Sequence, residues 1–281
     1  MSSGAALRIC FILEAEYRRS RLPMAVIDRL RQLGHECAVV EPAAAPAGLE
    51  ALLDRRCAAF VLRTVSRGPG LSLLQAAAAS GFTTINDATA VQRVRDKLVM
   101  ASIARAHAIP APPTYLASSA QQLEALPHEL FPVVVKPSSG GFGDDVRLVR
   151  TPAELVAAVS DGLASQRLIA QPWVSNRGHD LKLYNTGQRI HAVRRRSSLL
   201  GGADGDREAA AVTPEARELA LRVGRAFRLD LYGVDVVESP NGLVVVDVND
   251  FPSYGTIESA PDELASTISG IVRGEARPEP A

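Results

Sequence analysis

Cysteine is scarce in this chain, with 3 in 281 residues: Cys10, Cys37 and Cys57. They share no metal-type spacing, and an odd, scattered count speaks against a disulfide framework and fits a reducing, cytoplasmic setting. An excess of charge of either sign is also missing, since Lys+Arg and Asp+Glu stand at 31 each. Bulk charge therefore points to neither nucleic acid nor an anionic membrane, and any electrostatic recognition must come from local clusters. Long apolar runs are absent as well. The stretches near the start are short and broken by Arg8, Glu14 and Glu16, which leaves no signal peptide and no spanning helix. There is no internal repeat, and no glycine fingerprint follows the first strand, so a dinucleotide-binding reading has little support there.

What is present suffices for a folded enzyme of two or three small lobes. Hydrophobic residues make up 47% and charged residues 22%, enough to bury a core and unlike a disordered chain. Residues 6–13 read as a buried strand. Leu22, Val26, Ile27, Leu30 and Leu33 then recur at helical spacing, and Gly34 stands where a helix C-cap prefers it. Strands at 37–40 and 58–62 and a helix at 71–80 complete an alternating pattern that implies a small parallel α/β domain over 1–86. Asp87 is placed to cap one long helix over 88–106, which Ile109-Pro110 and Pro112-Pro113 stop. A second lobe over 87–174 is expected, with strands at 131–136 and 146–149 and a helix opening at Thr151-Pro152-Ala153-Glu154. A third covers 175–281, with a hairpin around Asn185-Thr186-Gly187, a helix from Thr213 and two final strands.

Those final strands are the most informative. Ser239-Pro240-Asn241-Gly242 suits a type I turn followed by a left-handed glycine, the three-residue hairpin loop. Such a loop pairs Ser239 with Leu243, Asp235 with Asp247 and Gly233 with Asn249. Strand alternation puts Asp247 and Asn249 on one face and Val244, Val246 and Val248 on the other. Two carboxylates face to face repel unless compensated, and a hard divalent cation compensates them with carboxylate and amide oxygens. A solvated hairpin face is the bland alternative; the valines behind the acids count against it.

Upstream, Val133-Val134-Val135-Lys136-Pro137-Ser138-Ser139-Gly140-Gly141-Phe142-Gly143 runs from a strand into a small-residue loop whose N–H groups can approach phosphate oxygens. It is not a Walker loop, because no Gly-Lys-Ser/Thr follows. Lys97 alone reads as a solvated helix lysine, and Trp173 alone as a core residue. Arg194, Arg195 and Arg196 lie on a predicted strand that sends Arg194 and Arg196 to one face and Arg195 to the other. They are either a solvated face or a clamp for phosphate or carboxylate. Asp180 and Lys182 share a face of the strand before.

Taken in order, these elements resemble the ATP-grasp superfamily over residues 85–260. Arg95-Asp96-Lys97-Leu98 with the following Pro-rich segment is similar to the family's lead-in helix. Phe131 to Pro137 with the Ser/Gly loop is similar to its phosphate-covering strand. Val245-Val246-Asp247-Val248-Asn249 is similar to its acid-x-Asn metal strand. The resemblance implies a fold of α/β and α+β type, with an N-terminal Rossmann-like parallel domain and two lobes enclosing ATP. It implies ATP contacts from Lys97, Lys136, Ser139, Gly140, Gly141, Gly143, Asp180 and Arg207, with Gln171, Pro172, Trp173 and Val174 as the hinge that meets adenine. Lys182, Arg194 and Arg196 would face the reacting phosphoryl group, and Asp235, Asp247 and Asn249 would bind Mg²⁺, with Mn²⁺ as a substitute.

Two branches are weighed. The RimK-like carboxylate–amine ligases make an acyl phosphate and let an amine attack it; Asp180-Leu181-Lys182 resembles theirs. Inositol polyphosphate kinases of the same fold are the alternative, resembled by Val193-Arg194-Arg195-Arg196-Ser197. Gly205-Asp206-Arg207 replaces the usual ligase loop. The ligase is the favoured expectation, acting on an amino acid or short peptide; the kinase would take a polyol phosphate. A non-catalytic ATP-binding module is the third reading. No nucleic-acid or membrane partner is expected, and a homo-oligomer stays open.

Overall fold

The computed structural model describes residues 6–18, 21–42, 44, 48–54, 56–63, 68–139, 145–155, 167–201 and 207–275. Within them, three sheets divide the chain. The first is parallel, in the order β2-β1-β3-β4, from β1 (Arg8–Leu13), β2 (Glu36–Val40), β3 (Cys57–Arg63) and β4 (Thr83–Ile85). Alternation on β1 sends Ile9 and Phe11 into one apolar cluster and Cys10 and Ile12 into another. A parallel sheet is normally buried on both faces in this way. The helix Arg21–Gln32 covers one face with Val26, Ile27 and Leu30, and Gly70–Ala79 covers the other with Leu73, Leu74 and Ala77.

Cys10 and Cys57 are joined as a disulfide, which corrects the expectation that no disulfide forms. The two lie on adjacent parallel strands with their Cα atoms 5.9 Å apart, a proximity made by the crossover and absent from any spacing in the sequence. Cys37 is a free thiol.

The second sheet runs β5-β8-β6-β7, from β5 (Tyr115–Ala117), β6 (Val133–Pro137), β7 (Arg147–Val149) and β8 (Leu168–Pro172). The third runs β11-β10-β9-β12-β13 and is antiparallel throughout, from β9 (His179–Asn185), β10 (Ile190–Arg196), β11 (Arg207–Ala210), β12 (Tyr232–Ser239) and β13 (Gly242–Asp250). One face of the third sheet is apolar: Leu181, Leu183, Val234, Val236 and Val248 pack against Leu219, Val223 and Phe227 of the helix Pro214–Phe227. The other face carries charge.

The helix expected over 88–106 is two helices, Ala88–Arg95 and Lys97–Ala106. Asp96 between them is extended and caps the second, its carboxylate accepting from the N–H groups of Leu98 at 3.0 Å and Val99 at 3.1 Å. The break lets this segment touch the second sheet: Asp96 bridges to Ser139, and the Lys97 N–H donates to the Ser138 carbonyl at 2.7 Å. An unbroken helix would have engaged that N–H within itself. The apolar sides of both helices (Ala90, Val94, Met100, Ala104) pack into the core of the third sheet. Among the described residues no helix is long and apolar enough to cross a membrane.

Asp96→Ala removes an N-cap and should cost about 1 kcal/mol. Urea denaturation of the two proteins at neutral pH measures that difference, and a midpoint unchanged in the variant would show that the cap carries no stability.

Candidate functional site

The charged face of the third sheet is organised by the β12–β13 hairpin. Its turn is tighter than expected. Ser239 pairs with Gly242, whose φ of +109° needs glycine, and Glu238 pairs with Leu243. The register thus starts one residue away from the expected one. A β-bulge between Asp235 and Val236 then restores it, so that Asp235 faces Asp247 and Gly233 faces Asn249 as expected. Val236 pairs with Val245 and Asp235 with Asp247, which leaves Val246 as the extra residue. A bulged residue is left outside the ladder, and here its carbonyl accepts from Lys136 Nζ at 3.0 Å. Val246 also lines the cleft beside the acids instead of backing them, as simple alternation had implied.

Lysines from three elements converge on the facing carboxylates. Lys97, in the first turn after the helix break, brings its Nζ to 2.7 Å from Asp247 Oδ1. Lys182, directly opposite Asp235 on β9, brings its Nζ to 2.9 Å from Asp235 Oδ1. Lys136 reaches in from β6 of the second sheet. Burial pushes the Lys136 ammonium down to about 8. Burial also works against ionised Asp247, yet Lys97 and Lys136 outweigh it and hold its carboxyl below the ordinary aspartate value. Lys182 is likewise disfavoured by burial, but the Asp235 carboxylate keeps its pKa raised. At Asp180 burial wins over the nearby Arg195, and its pKa is raised.

These groups line a cleft of about 370 Å³ between the second and third sheets. The cleft holds Lys97, Lys136, Gln171, Pro172, Trp173, Val174, Asp180, Lys182, Asp235, Asp247 and Asn249 together. Gln171 to Val174 form its apolar end with Val134, Val146 and Leu199, and the Gln171 side chain is fixed by donating to Thr114 Oγ1 at 2.9 Å. Ser139 is outside the cleft lining and forms an isolated β-bridge with Asp96. Gly140, Gly141 and Gly143 lie outside the described residues.

The basic strand is phased differently from the expectation. Arg195, opposite Asp180, lines the cleft and approaches that carboxylate to 3.5 Å. Arg194 and Arg196 point to the other face: Arg194 pairs with Glu238 at 3.3 Å, and Arg196 is exposed. Arg194 and Arg196, expected at the reacting centre, are thus absent from the cleft lining, and Arg195 stands there instead. Alternation separates the three arginines, but only the register with β9 says which face is the cleft. Arg207 is exposed and stands opposite Arg195 on the edge strand β11, outside the cleft lining. Ser197, at the end of the basic motif, also lines the cleft, as do Asn176 and Val237, which carried no signal in the sequence. Behind the acids, Arg95 grips Asp250 with two bonds of 3.1 and 2.9 Å, both side chains about nine-tenths buried (9% and 10% exposed). That pair ties the helix Ala88–Arg95 to the end of β13.

The donor set suits Mg²⁺ in a particular way. Among the described residues no three His, Cys, Asp or Glu side chains form a metal cluster. Asp235, Asp247 and Asn249 offer two carboxylates and an amide. Mg²⁺ is typically held by one or two carboxylates together with water and substrate phosphates, so this set fits a metal that arrives with a nucleotide. Three lysines against these two acids leave a positive excess that attracts phosphate.

Residues 94–268 match the family model described as the RimK-like ATP-grasp domain. A relative named as a probable alpha-L-glutamate ligase, from Hydrogenovibrio crunogenus, is 29% identical over 220 residues, which cover 74% of this chain and 73% of the relative. The crystal structure of a RimK-domain ATP-grasp protein from Sphaerobacter thermophilus superposes with a TM-score of 0.76 at 22% identity, over 92% of this chain and 98% of that one. The structure of a D-cycloserine synthetase gives 0.73 at 21% identity, over 94% and 99%. At these identities the two structures speak for the fold.

Lys136 links electrostatics to stability in a testable way. Its folded pKa of about 8 lies below that of an unfolded lysine, so between the two values the unfolded chain binds more protons and stability rises with pH. Lys136→Met should therefore raise the Tm of the nucleotide-free protein at pH 7, and the gap to the unsubstituted protein should narrow above pH 8. The same variant should bind ATP at least about tenfold more weakly, the scale of a charge-assisted hydrogen bond. Thermal melts across pH and calorimetric titration measure the two effects; a lower Tm at pH 7 would contradict the burial argument.

Proposed function

The chain belongs to the RimK-like ATP-grasp family, and we propose that it is a Mg²⁺- and ATP-dependent carboxylate–amine ligase. Its substrate is an amino acid or short peptide, and its product an amide or peptide bond. The observation that carries this reading is the pair Asp235 and Asp247, facing each other in a cleft into which Lys97, Lys136 and Lys182 project. The glutamate-ligase name of the Hydrogenovibrio crunogenus relative supports the reaction class.

Each group has a chemical task in this reading. The apolar end at Gln171 to Val174 receives adenine, and Lys97 and Lys136 hold the phosphates. Asp235, Asp247 and Asn249 would hold Mg²⁺, which neutralises charge on the phosphate oxygens. Lys182 and Arg195 face the transferred group. A substrate carboxylate oxygen attacks the γ-phosphorus, the bond to ADP breaks, and an acyl phosphate forms. An amine then attacks the acyl carbon, phosphate leaves, and the C–N bond forms with release of a proton. The protein's share is positioning and electrostatic stabilisation. Arg195, whose guanidinium lines the cleft, is placed to steady the oxygens of both steps. The cleft's modest positive excess suits one triphosphate with its metal better than a further polyphosphate, which disfavours the inositol phosphate kinase.

The test is ADP release with a panel of amino acids and dipeptides, with hydroxylamine as a trap, and with inositol phosphates in a separate arm. Hydroxamate should accumulate with one class of carboxylate. ADP release with inositol phosphates alone would replace the ligase with the kinase, and tight ATP binding without any turnover would indicate a binding module. Asp247→Ala should lower Mg²⁺-dependent turnover at least about a hundredfold, as loss of a group that stabilises transferring charge does, with the far-UV circular dichroism unchanged. Full turnover in that variant would remove Asp247 from the metal site.

A further inference from the structure

Arg63 ends β3 at the C-terminal edge of the parallel sheet, opposite Leu13 of β1. The strand order β2-β1-β3-β4 reverses direction between β1 and β3. In open α/β sheets that edge, at that reversal, is where ligands bind. The cleft described above uses the other two sheets and leaves this edge without a task.

The surroundings of the guanidinium are unusual. One Nη of Arg63 donates to the Phe251 carbonyl at 2.9 Å, and the group lies 4.1 Å above the centre of the Tyr17 ring. Its Nε is buried with no hydrogen-bond partner. Among the described residues no carboxylate forms an ion pair with it. Asp250, the acid close enough to act on it, is gripped by Arg95. Burial works against the charge and lowers its pKa. A largely buried cation without a counter-ion is costly. A bond to one carbonyl and a ring face would be met as well by a neutral donor. A guanidinium carries five donors in a planar fork that matches a carboxylate.

Position links this group to the chemistry. Phe251 lies just past the end of β13, two residues after Asn249, and so at most about 7 Å from it along the chain. Through the Phe251 carbonyl, Arg63 is tied to the end of the strand that carries Asp247 and Asn249, a separation that an amino acid or short peptide can span. The phosphates already have Lys97, Lys136 and Lys182 in the cleft. We infer that Arg63 is a specificity-determining residue that binds a carboxylate of the amino-acid or peptide substrate, held at the end of β3 while its reacting group lies over Asn249 and Asp247. This inference rests on the ligase reading for the identity of the substrate, but the binding it asserts is measurable without turnover.

The experiment uses the full chain saturated with Mg²⁺ and ADP. Arginine Nε–H signals are recorded by NMR, and that of Arg63 is assigned by its loss in Arg63→Lys. L-glutamate, L-alanyl-L-glutamate, the diamide of glutamate and inorganic phosphate are then titrated. At least one of the carboxylates should shift the Arg63 signal saturably, and the diamide and phosphate should not. By calorimetry, Arg63→Gln should weaken that carboxylate by about tenfold or more, the worth of a charge-assisted bond, and Arg63→Lys should recover part of it. ADP affinity should stay within about twofold, on the same scale. No shift with either carboxylate, an equal response to phosphate, or an equal loss of ADP binding in Arg63→Gln would overturn the inference, the last by making Arg63 a structural tie. Carboxylate binding through Arg63 without ADP release from ATP would leave the inference standing and defeat the ligase reading alone.

Discussion

Two aspartates on neighbouring strands are held face to face, and the answer to their repulsion organises the molecule. Asp235 and Asp247 can share a face only because the β-bulge beside Asp235 resets the hairpin register. Lys182 and Lys97 reach them at 2.9 and 2.7 Å and offset their mutual repulsion. Lys97 in turn depends on the helix break at Asp96, which turns its backbone N–H to the second sheet and its side chain to the third. Lys136 comes from the second sheet and is anchored on the carbonyl that the bulge releases. One electrostatic problem on one hairpin thus fixes how two sheets and a helix pair meet, and the space between them is the cleft.

Much of this was legible in the chain, for reasons that differ by element. The parallel domain was readable because strands buried on both faces and the helix Arg21–Gln32 follow simple periodicities. The hairpin turn implied by Ser239-Pro240-Asn241-Gly242 is one residue longer than the one that forms, and the bulge beside Asp235 offsets the difference, so Asp235 still faces Asp247. Bulges answer to packing and to partners such as Lys136, which no local pattern encodes. Alternation separated Arg195 from Arg194 and Arg196 but could not say which side faced the cleft, because that phase is set by Asp180 on the neighbouring strand. The helix break was hidden for a similar reason. Arg95-Asp96-Lys97 reads as continuous helix, and its interruption is stabilised by Ser138 and Ser139, some forty residues away. The disulfide between Cys10 and Cys57 depends on the crossover alone.

The third sheet shows how stability and function are divided across one surface. Its inner face is aliphatic and packs under a helix, so it supplies apolar burial without polar demands. Its outer face collects acids and bases that are individually unfavourable to bury, as the lowered pKa of Lys136 and the raised pKa of Asp180 record. Such groups persist where a ligand's charge completes them. Arg63 repeats the pattern on the first sheet: a cation largely withdrawn from water, held by a carbonyl and a ring, with no carboxylate paired to it among the described residues. The two places are joined at the end of β13, where Asn249 faces the cleft, Asp250 holds Arg95 and Phe251 offers its carbonyl to Arg63. Three consecutive residues there thus meet the cleft, the helix Ala88–Arg95 and the parallel sheet. A substrate that bridged Arg63 and the cleft would therefore press on the same short stretch of backbone that positions Asp247 and Asn249, the proposed metal ligands, and would couple its recognition to their geometry.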